Sequence, residues 1–179
     1  MESHTELKGT FYQKNNLTIH TTYCKTPIGI AKITGDHNGV QSIHILDEEN
    51  VPEELMQPST PICLQECVVQ LEAYFLGKRD HFNLTVNPKG TAFQIKVWKS
   101  LLKIPFGKTK SYLEQSKALG DVKATRAVAA ANGKNPLWIV VPCHRVIASD
   151  GALTGYAGGI WRKKWLLAHE NPVKQHSLF

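Results

Sequence analysis

The sequence of 179 residues contains few cysteines, few aromatic residues and no long apolar segment. Four cysteines without the spacing of a disulfide framework argue against a secreted, cross-linked scaffold and predict reduced thiols in the cytoplasm, or in the nucleus of a eukaryote. No apolar run reaches the roughly 18 residues that span a bilayer, and residues 1–13 lack the apolar core of a secretory signal. The 42% of apolar residues excludes a disordered chain and predicts one or two compact domains.

Acidic residues are scarce in the second half of the chain. Residues 1–88 contain six Lys and Arg against eleven Asp and Glu, whereas residues 89–179 contain 15 against four. The net charge of +6 therefore combines a balance of −5 with one of +11. Such concentrated positive charge indicates a polyanionic partner, and nucleic acid is the first candidate. The alternative is a lysine-rich surface that only keeps the protein soluble.

The first half predicts strands followed by a helix. Residues 17–46 alternate polar with apolar and β-branched side chains, and turn residues at 27–29 and 37–39 divide them, as in an antiparallel sheet. Apolar residues recur at helical spacing over residues 60–77, and Gly77 stands at the position of a C-terminal cap. Asn-Pro-Lys-Gly at 87–90 then interrupts the pattern where the charge changes sign. We therefore expect an N-terminal α/β lobe, residues 1–88, and a C-terminal domain, residues 89–179.

The second half predicts mostly helices. Thr91 can cap a helix with an apolar stripe that includes Phe93 and Trp98. Ser111 and Glu114 fit a capping box at the start of a short helix that Gly120 ends. Asp121 can cap the next helix, which runs to Gly133. Two short helices joined by a tight glycine turn predict a helix-turn-helix, the motif whose second helix usually enters a DNA groove.

The second helix of this motif has small side chains and one long cation, Arg126. Its residues Ala124, Thr125, Ala127 and Ala129 allow close approach of a backbone, but too few side chains could read base edges in a major groove. A helix packed tightly in the core is an equally simple interpretation of the alanines. Arg126 favours DNA contact, because a fully buried arginine requires a partner.

The apolar β-branched run Leu-Trp-Ile-Val-Val at 137–141 predicts a buried strand that ends at Pro142 and Cys143. His144 and Arg145 follow, and cationic neighbours favour the thiolate, so Cys143 is a candidate nucleophile. The alternative is a small buried residue beside a solvated basic pair.

Two features after Cys143 favour the nucleophile. A loop with four glycines between residues 151 and 159 carries Tyr156, which can cover a ligand. The final helix brings Glu170, a carboxylate that can orient His144 as a base.

Together these motifs resemble the O6-alkylguanine-DNA alkyltransferases, also called methylated-DNA–protein-cysteine methyltransferases. The resemblance extends over residues 91–170 and rests on Ser111-Tyr112, Ala124-Thr125-Arg126-Ala127-Val128, Asn135-Pro136, Pro142-Cys143-His144-Arg145-Val146, Tyr156-Ala157-Gly158-Gly159 and Leu166-Leu167-Ala168-His169-Glu170. In the first half it is confined to Thr26-Pro27-Ile28-Gly29. The resemblance implies a ribonuclease H-like first lobe and a winged-helix-like second domain.

The resemblance also implies roles for individual residues. Cys143 would accept the alkyl group once and keep it. His144 would act through a water as its base, Glu170 would hold the imidazole, and Asn135 would hold the turn around the cysteine. Tyr112 would protonate guanine N3.

The remaining assignments concern DNA and the substrate pocket. Arg126 would enter the base stack after the nucleotide is flipped out, with the small residues of its helix in the minor groove. Pro142, Val146, Tyr156 and Ala157 would form the pocket, although many members have serine at the position of Ala157.

The partner implied is double-stranded DNA that contains O6-alkylguanine, with O4-alkylthymine as a second candidate. No metal, cofactor or membrane is expected, and the protein is expected to be a monomer. A DNA-binding regulator would need the helix-turn-helix but not Cys143. A cysteine hydrolase would use Cys143 and His144 but would turn over repeatedly and ignore DNA.

Overall fold

The computed structural model describes residues 18–52, 55 and 59–171. The start of the chain, for which the sequence predicts no secretory signal, lies outside these residues. So does the tail at residues 171–179, which the sequence predicts to be frayed, except for Asn171. The chain divides into two compact units. Among the described residues, the first unit holds the chain up to Lys89 together with Pro136–Trp138, and the second holds Gly90–Asn135 and the chain from Ile139 onward.

The first unit contains a three-stranded antiparallel sheet in the order β1-β2-β3. The strands are β1 (His20–Thr26), β2 (Gly29–Asp36) and β3 (Gly39–Leu46). Two-residue turns join them at the Pro-Ile and His-Asn pairs that the sequence analysis identifies. Cross-strand pairs such as Ile33 with Ile43 place apolar residues on one face of the sheet. The predicted antiparallel sheet is confirmed.

Helix α1 (Ile62–Phe75) packs on this sheet through a buried side that includes Leu64, Cys67, Leu71 and Tyr74. Its end is a Schellman motif, in which Lys78 N donates to Ala73 O and Gly77 N donates to Tyr74 O, both at 2.9 Å. The helix predicted over residues 60–77 is therefore confirmed, and with the sheet it establishes the α/β class of the first lobe. A 3-10 helix (Glu48–Asn50) precedes it.

The strand predicted over residues 137–141 is wrong. Only Leu137 pairs with a strand, in an isolated bridge beside Ile43, where Ile43 N donates to Pro136 O at 2.7 Å and Trp138 N donates to Ile43 O at 3.1 Å. Ile139 then takes a positive φ of 72°, which ends the extended backbone at a buried β-branched residue. Complete burial of an irregular segment produces the same apolar run as a buried strand, so the residue pattern could not distinguish them.

The buried thiol of Cys24 on β1 predicts that the protein loses stability as pH rises into the alkaline range. Burial, followed by the charge of Glu72, raises the pKa of Cys24 to about 11. A group whose folded pKa is raised stabilises the fold fully below its unfolded pKa, about 8.5 for cysteine, and the contribution is lost as pH rises toward the folded value. We expect Cys24 to contribute a loss of about 3 kcal/mol between about pH 8.5 and pH 11.

This prediction is tested by urea unfolding of the wild type and of Cys24→Ala between pH 7 and pH 11. Lys163 acts in the opposite direction, since burial lowers its pKa to about 8, so the difference between the two pH slopes is the measure. The wild type should lose stability more steeply than Cys24→Ala. Parallel slopes would show that the Cys24 proton makes no contribution.

The second unit is mostly helical. Its elements are α2 (Ala92–Leu101), β4 (Lys110–Ser111), α3 (Tyr112–Leu119), α4 (Thr125–Gly133), β5 (Val146–Ile147) and α5 (Ile160–Glu170), and the two short strands pair in parallel. Thr91 caps α2 and Ser111 caps α3, each with a complete capping box. The predicted caps are confirmed. In the predicted α2 stripe, Phe93 is instead 42% exposed.

Helices α3 and α4 form the predicted helix-turn-helix. Gly120 ends α3 with a φ of 95°, a conformation that favours glycine, and Asp121 N donates back to Ser116 O at 3.2 Å. Asp121 caps a short 3-10 helix (Val122–Ala124) before α4 begins at Thr125, three residues later than the sequence pattern suggests.

Buried polar contacts hold α4 in place against α2 and α3. The side-chain amides of Gln115 and Asn132 exchange two hydrogen bonds, of 2.7 and 3.3 Å. The indole of Trp98 donates to Ala131 O at 2.9 Å. Because these groups are buried and satisfied, they fix the orientation of α4 more specifically than apolar packing would. On the opposite side, Arg126 and Ala127 are exposed, so the alanine-rich helix is not enclosed in the core.

Candidate active site

Cys143 begins a buried 3-10 helix (Cys143–Arg145) immediately after a tight turn at Pro142. Pro142 has φ −83° and ψ 64°, the geometry of an inverse γ-turn, and Cys143 N donates to Val141 O at 2.8 Å. The side chain of Asn135 holds this turn, since its Nδ2 donates to Val141 O at 2.7 Å and to Cys143 Sγ at 3.2 Å. The thiol is therefore positioned by a turn and by one buried amide, and its residue is 7% exposed.

His144, Arg145 and Glu170 form a buried network beside the thiol. His144 Nε2 and Glu170 Oε1 are 2.8 Å apart. Arg145 binds the same carboxylate with two nitrogens, Nε to Oε2 at 2.8 Å and Nη2 to Oε1 at 3.0 Å, and its Nη1 donates to Ile104 O at 2.6 Å. Gly107 N also donates to Glu170 Oε2, at 3.3 Å. The Glu170 carboxylate on α5 thus accepts charge-assisted hydrogen bonds from His144 and Arg145 of the 3-10 helix and from Gly107 in the loop after α2.

The electrostatics of this network assign the proton on His144. Burial lowers the pKa of His144, against the opposing effect of Glu170, so the imidazole is neutral at neutral pH. Burial alone would raise the pKa of Glu170, but His144 and Arg145 outweigh it and hold the pKa below its usual range. Nε2–H of neutral His144 therefore donates to an ionised Glu170, which leaves the lone pair on Nδ1. That Nδ1 is buried without a hydrogen-bond partner among the described residues.

The expectation that neighbouring cations favour the thiolate of Cys143 is wrong for the resting site. Arg145 faces Glu170, and His144 is neutral. Burial raises the pKa of Cys143, although the Asn135 hydrogen bond, Lys163 and nearby backbone amides oppose it. Cys143 is consequently a thiol at neutral pH and needs a base, and the free Nδ1 of His144 is an acceptor of the right kind.

Lys163 is a component of the site that the sequence analysis does not identify. It is fully buried on α5, and its Nζ donates to Thr154 O at 2.9 Å and to Tyr112 Oη at 3.5 Å. Tyr112 Oη donates to the same carbonyl at 3.2 Å, and burial raises its pKa. The spacing of residues in the last helix could have indicated its burial, because Lys163 lies on the same helix face as Leu166 and Glu170.

A cavity of about 530 Å³ brings together most of the predicted binding residues. It is lined by Tyr112, Thr125, Arg126, Ala129, Gly133, Thr154, Gly155, Tyr156 and Ala157. Cys143 is not among these lining residues, but it interacts electrostatically with Tyr112 and Tyr156, two residues that are. Residues of α4 and of the glycine loop thus line one cavity.

Four other predicted residues occupy different positions. Pro142 is buried and turns the chain, and Val146 is buried on β5 opposite Lys110. Ala124 ends the 3-10 helix before α4, and Ala127 is exposed on α4. None of the four is among the residues that line the cavity.

The part of the chain that the structure describes shows neither a metal site nor a membrane-spanning helix. It contains no group of three or more His, Cys, Asp and Glu residues placed to hold a metal ion. None of its helices is both long enough and apolar enough to cross a membrane. All four cysteines are free thiols.

The fold and site define a class of protein in which one compact unit carries a helix-turn-helix, a pocket on its second helix, and a buried cysteine with a neutral histidine. Residues 92–172 match the family model of the 6-O-methylguanine DNA methyltransferase DNA binding domain. Residues 19–88 match the model of the ribonuclease-like domain of the same methyltransferases.

Individual relatives agree with the family models. A methylated-DNA–protein-cysteine methyltransferase of Mycobacterium tuberculosis H37Rv is 42% identical over 152 residues, which cover 85% of this chain and 92% of the relative. One from Methanosarcina barkeri is 42% identical over 149 residues, covering 82% and 93%.

Solved structures show the same architecture. The crystal structure of Mycobacterium tuberculosis O6-methylguanine methyltransferase has a TM-score of 0.76 at 41% identity and covers 87% of this chain and 94% of its own. A structure described as Mycobacterium tuberculosis OGT in complex with DNA has a TM-score of 0.76 at 41% identity, covering 86% and 93%. The chain belongs to the methylated-DNA–protein-cysteine methyltransferase family, which confirms the resemblance and the α/β fold class predicted from the sequence.

Proposed function

We propose that this protein repairs DNA by moving a methyl or other alkyl group from O6 of guanine in double-stranded DNA to Cys143. The observation that carries the proposal is the buried thiol of Cys143 beside a neutral imidazole whose Nε2 binds Glu170. The cavity lined by Tyr112 and Tyr156 also has Arg126 of the helix-turn-helix on its wall, which supports DNA as the carrier of the substrate. O4-alkylthymine is the second candidate substrate.

The reaction begins with removal of the thiol proton. A water between Cys143 Sγ and His144 Nδ1 would satisfy the buried Nδ1 and transfer the proton to it, while Glu170 stabilises the resulting imidazolium. Asn135 and the charged ammonium of Lys163 stabilise the thiolate, because both favour the ionised form of Cys143. The water-mediated base therefore overcomes the effect of burial.

The thiolate then attacks the alkyl carbon. The new bond joins Sγ to that carbon, the bond from the carbon to O6 breaks, and its electron pair passes into the guanine ring. Tyr112 donates a proton to guanine N3, which makes the base a neutral leaving group. Lys163 positions Tyr112, since it donates to Tyr112 Oη and to the carbonyl that accepts the Tyr112 proton in the free protein. No step removes the alkyl group from sulfur, so each molecule acts once without a cofactor.

Access to Cys143 requires the nucleotide to leave the duplex. The thiol lies in a buried turn, whereas the O6 position lies inside the base stack, so the nucleotide must be flipped out at a cost of a few kcal/mol. Arg126 is exposed at the cavity wall and would take the place of the flipped base. The positive charge of residues 89–179 attracts phosphates without reading sequence, as a scanning repair protein requires.

The direct test is intact mass spectrometry after incubation with excess duplex that contains O6-methylguanine. We expect the protein to gain one methyl group, about 14 Da, located on Cys143 by peptide mapping. A DNA-binding regulator would gain no mass. A hydrolase would release product repeatedly and return to its original mass, so more than one product per protein molecule would refute the proposal.

Arg126 provides a separate test of base flipping. Arg126→Ala should slow transfer from duplex DNA by roughly tenfold or more, because the gap in the stack is no longer filled. Transfer from the free modified base should be nearly unchanged, since no flipping is required. Lys134→Ala, which removes a cation just after α4, is the control for general loss of positive charge. Equal slowing of Arg126→Ala on both substrates would contradict the flipping role.

We further propose that the protein acts as a monomer in the cytoplasm. The residues of the proposed reaction come from one chain between Tyr112 and Glu170, and the free thiols suit a reducing compartment. Sedimentation of the protein with and without a short duplex measures the oligomeric state. A dimer at micromolar concentration would contradict the first part of this proposal.

A further inference from the structure

The loop that forms one wall of the cavity contains a tight turn at Tyr156–Gly159. Gly159 N donates to Tyr156 O at 2.9 Å, and Tyr156 and Ala157 line the cavity. Two consecutive glycines, Gly158 and Gly159, then connect the turn to α5, and Gly159 has a φ of 87°. Such a backbone has many accessible conformations, so a fixed wall needs additional contacts.

Arg162 supplies a contact to this loop from the first turn of α5. Its residue is only 6% exposed, and its Nη1 donates to Gly158 O at 2.8 Å. Arginine is rarely buried without specific partners, because its charge loses hydration. The guanidinium therefore holds the backbone of the loop next to the two residues that line the cavity.

Trp161 covers the same loop from the solvent side. Its ring lies under the guanidinium of Arg162, 4.4 Å from Cζ, although the residue is 53% exposed. A Cβ on Gly159 would lie 3.4 Å from Trp161 Cδ1, so the indole lies where a side chain at Gly159 would point. The cation–π contact keeps Arg162 directed at Gly158 O.

We propose that Arg162 and Trp161 form a clamp on the Tyr156–Gly159 turn that sets the largest alkyl group the cavity accepts. The inference rests on the proposed function and adds a determinant of substrate size to it. Both residues are positioning residues, because they act through the loop and not on the reacting atoms. With the clamp in place the wall cannot move outward. Without it, the two glycines allow the wall to open around a bulky group.

The test compares transfer from duplexes that contain O6-methylguanine and O6-benzylguanine. Arg162→Ala should raise the ratio of the benzyl rate to the methyl rate by about tenfold, the scale on which an apolar pocket discriminates size. Trp161→Ala should shift the ratio in the same direction by a smaller factor, and Trp161→Phe should restore it. Lys164→Ala removes an exposed neighbouring cation from α5 and should leave the ratio unchanged.

Hydrogen exchange supplies a readout that needs no substrate. The Gly159 amide, which donates within the turn, should exchange faster in Arg162→Ala and Trp161→Ala than in the wild type, while amides of α3 and α4 keep their protection. A wild type that transfers neither group would refute the proposed function, and the exchange result would still decide whether the clamp exists. Unchanged exchange at Gly159, or equal loss of both rates in Arg162→Ala with an unchanged ratio, would overturn the clamp.

Discussion

A Cys143→Ser protein is expected to acquire no methyl group from O6-methylguanine duplex, whereas a Cys63→Ser protein should react at the wild-type rate. Sulfur is the stronger nucleophile toward carbon, and a serine hydroxyl at this position would not be ionised by a neutral imidazole. Cys63 lies half-buried on α1 in the first unit and is a matched control for the loss of a thiol. Mass spectrometry of the intact proteins after reaction measures the difference.

The substitution should remove the chemistry without removing the fold. A serine hydroxyl can accept the Asn135 Nδ2 hydrogen bond that Cys143 Sγ accepts at 3.2 Å, so the turn at Pro142 keeps its support. The thermal midpoint is expected to stay near that of the wild type, and the duplex should still bind. A methylated Cys143→Ser protein, with the modification on any residue, would show that another group is the acceptor.

The second large effect concerns the stability of the buried Arg145–Glu170 pair. Arg145→Met and Glu170→Met should each lower the free energy of unfolding by about 3–5 kcal/mol, because each removes the buried opposite charge that the remaining side chain binds. Glu170 is 4% exposed and Arg145 7%, so water cannot easily replace the missing partner. Urea unfolding at neutral pH measures the loss.

The double variant Arg145→Met/Glu170→Met separates the ion pair from simple packing. With both charges removed, neither is left without its oppositely charged partner, and we expect its loss of stability to be well below the sum of the two single losses. Additive losses would mean that the two side chains contribute independently and that their bidentate contact is not coupled. Ile104→Val, a mild change to a nearby buried residue, gives the scale of an ordinary packing defect, about 0.5–1.5 kcal/mol.

Local sequence signals predicted the regular elements of this protein well. The two hairpin turns, the caps at Thr91 and Ser111, and the glycine turn at Gly120 each depend on residues within a few positions of one another. Such short-range chemistry is written in the sequence itself. The strand predicted over residues 137–141 was wrong, because the backbone of this segment is held by contacts from outside the apolar run. Ile43, which bonds to Pro136 and Trp138, is distant in the chain, and Asn135, which bonds to Val141 O, lies before the run.

The sequence by itself determined the chemical groups of the site. Residue types and motif resemblance predict Cys143, His144 and Glu170 as nucleophile, base and orienting carboxylate, and the isolation of Arg126 among alanines predicts its contact with DNA. These are properties of the side chains and their order. The sequence also determined the net charge of residues 89–179, because charged residues can be counted without knowledge of the fold.

Only the tertiary structure decided the electrical state of those groups. Burial makes Cys143 a thiol and His144 neutral, and Arg145, two positions after the cysteine in the sequence, faces Glu170. Lys163 reaches Tyr112 across 51 positions of sequence, and Arg162 holds the loop that precedes its helix. A pKa and a contact depend on desolvation and on distance, and both are established only when the chain folds.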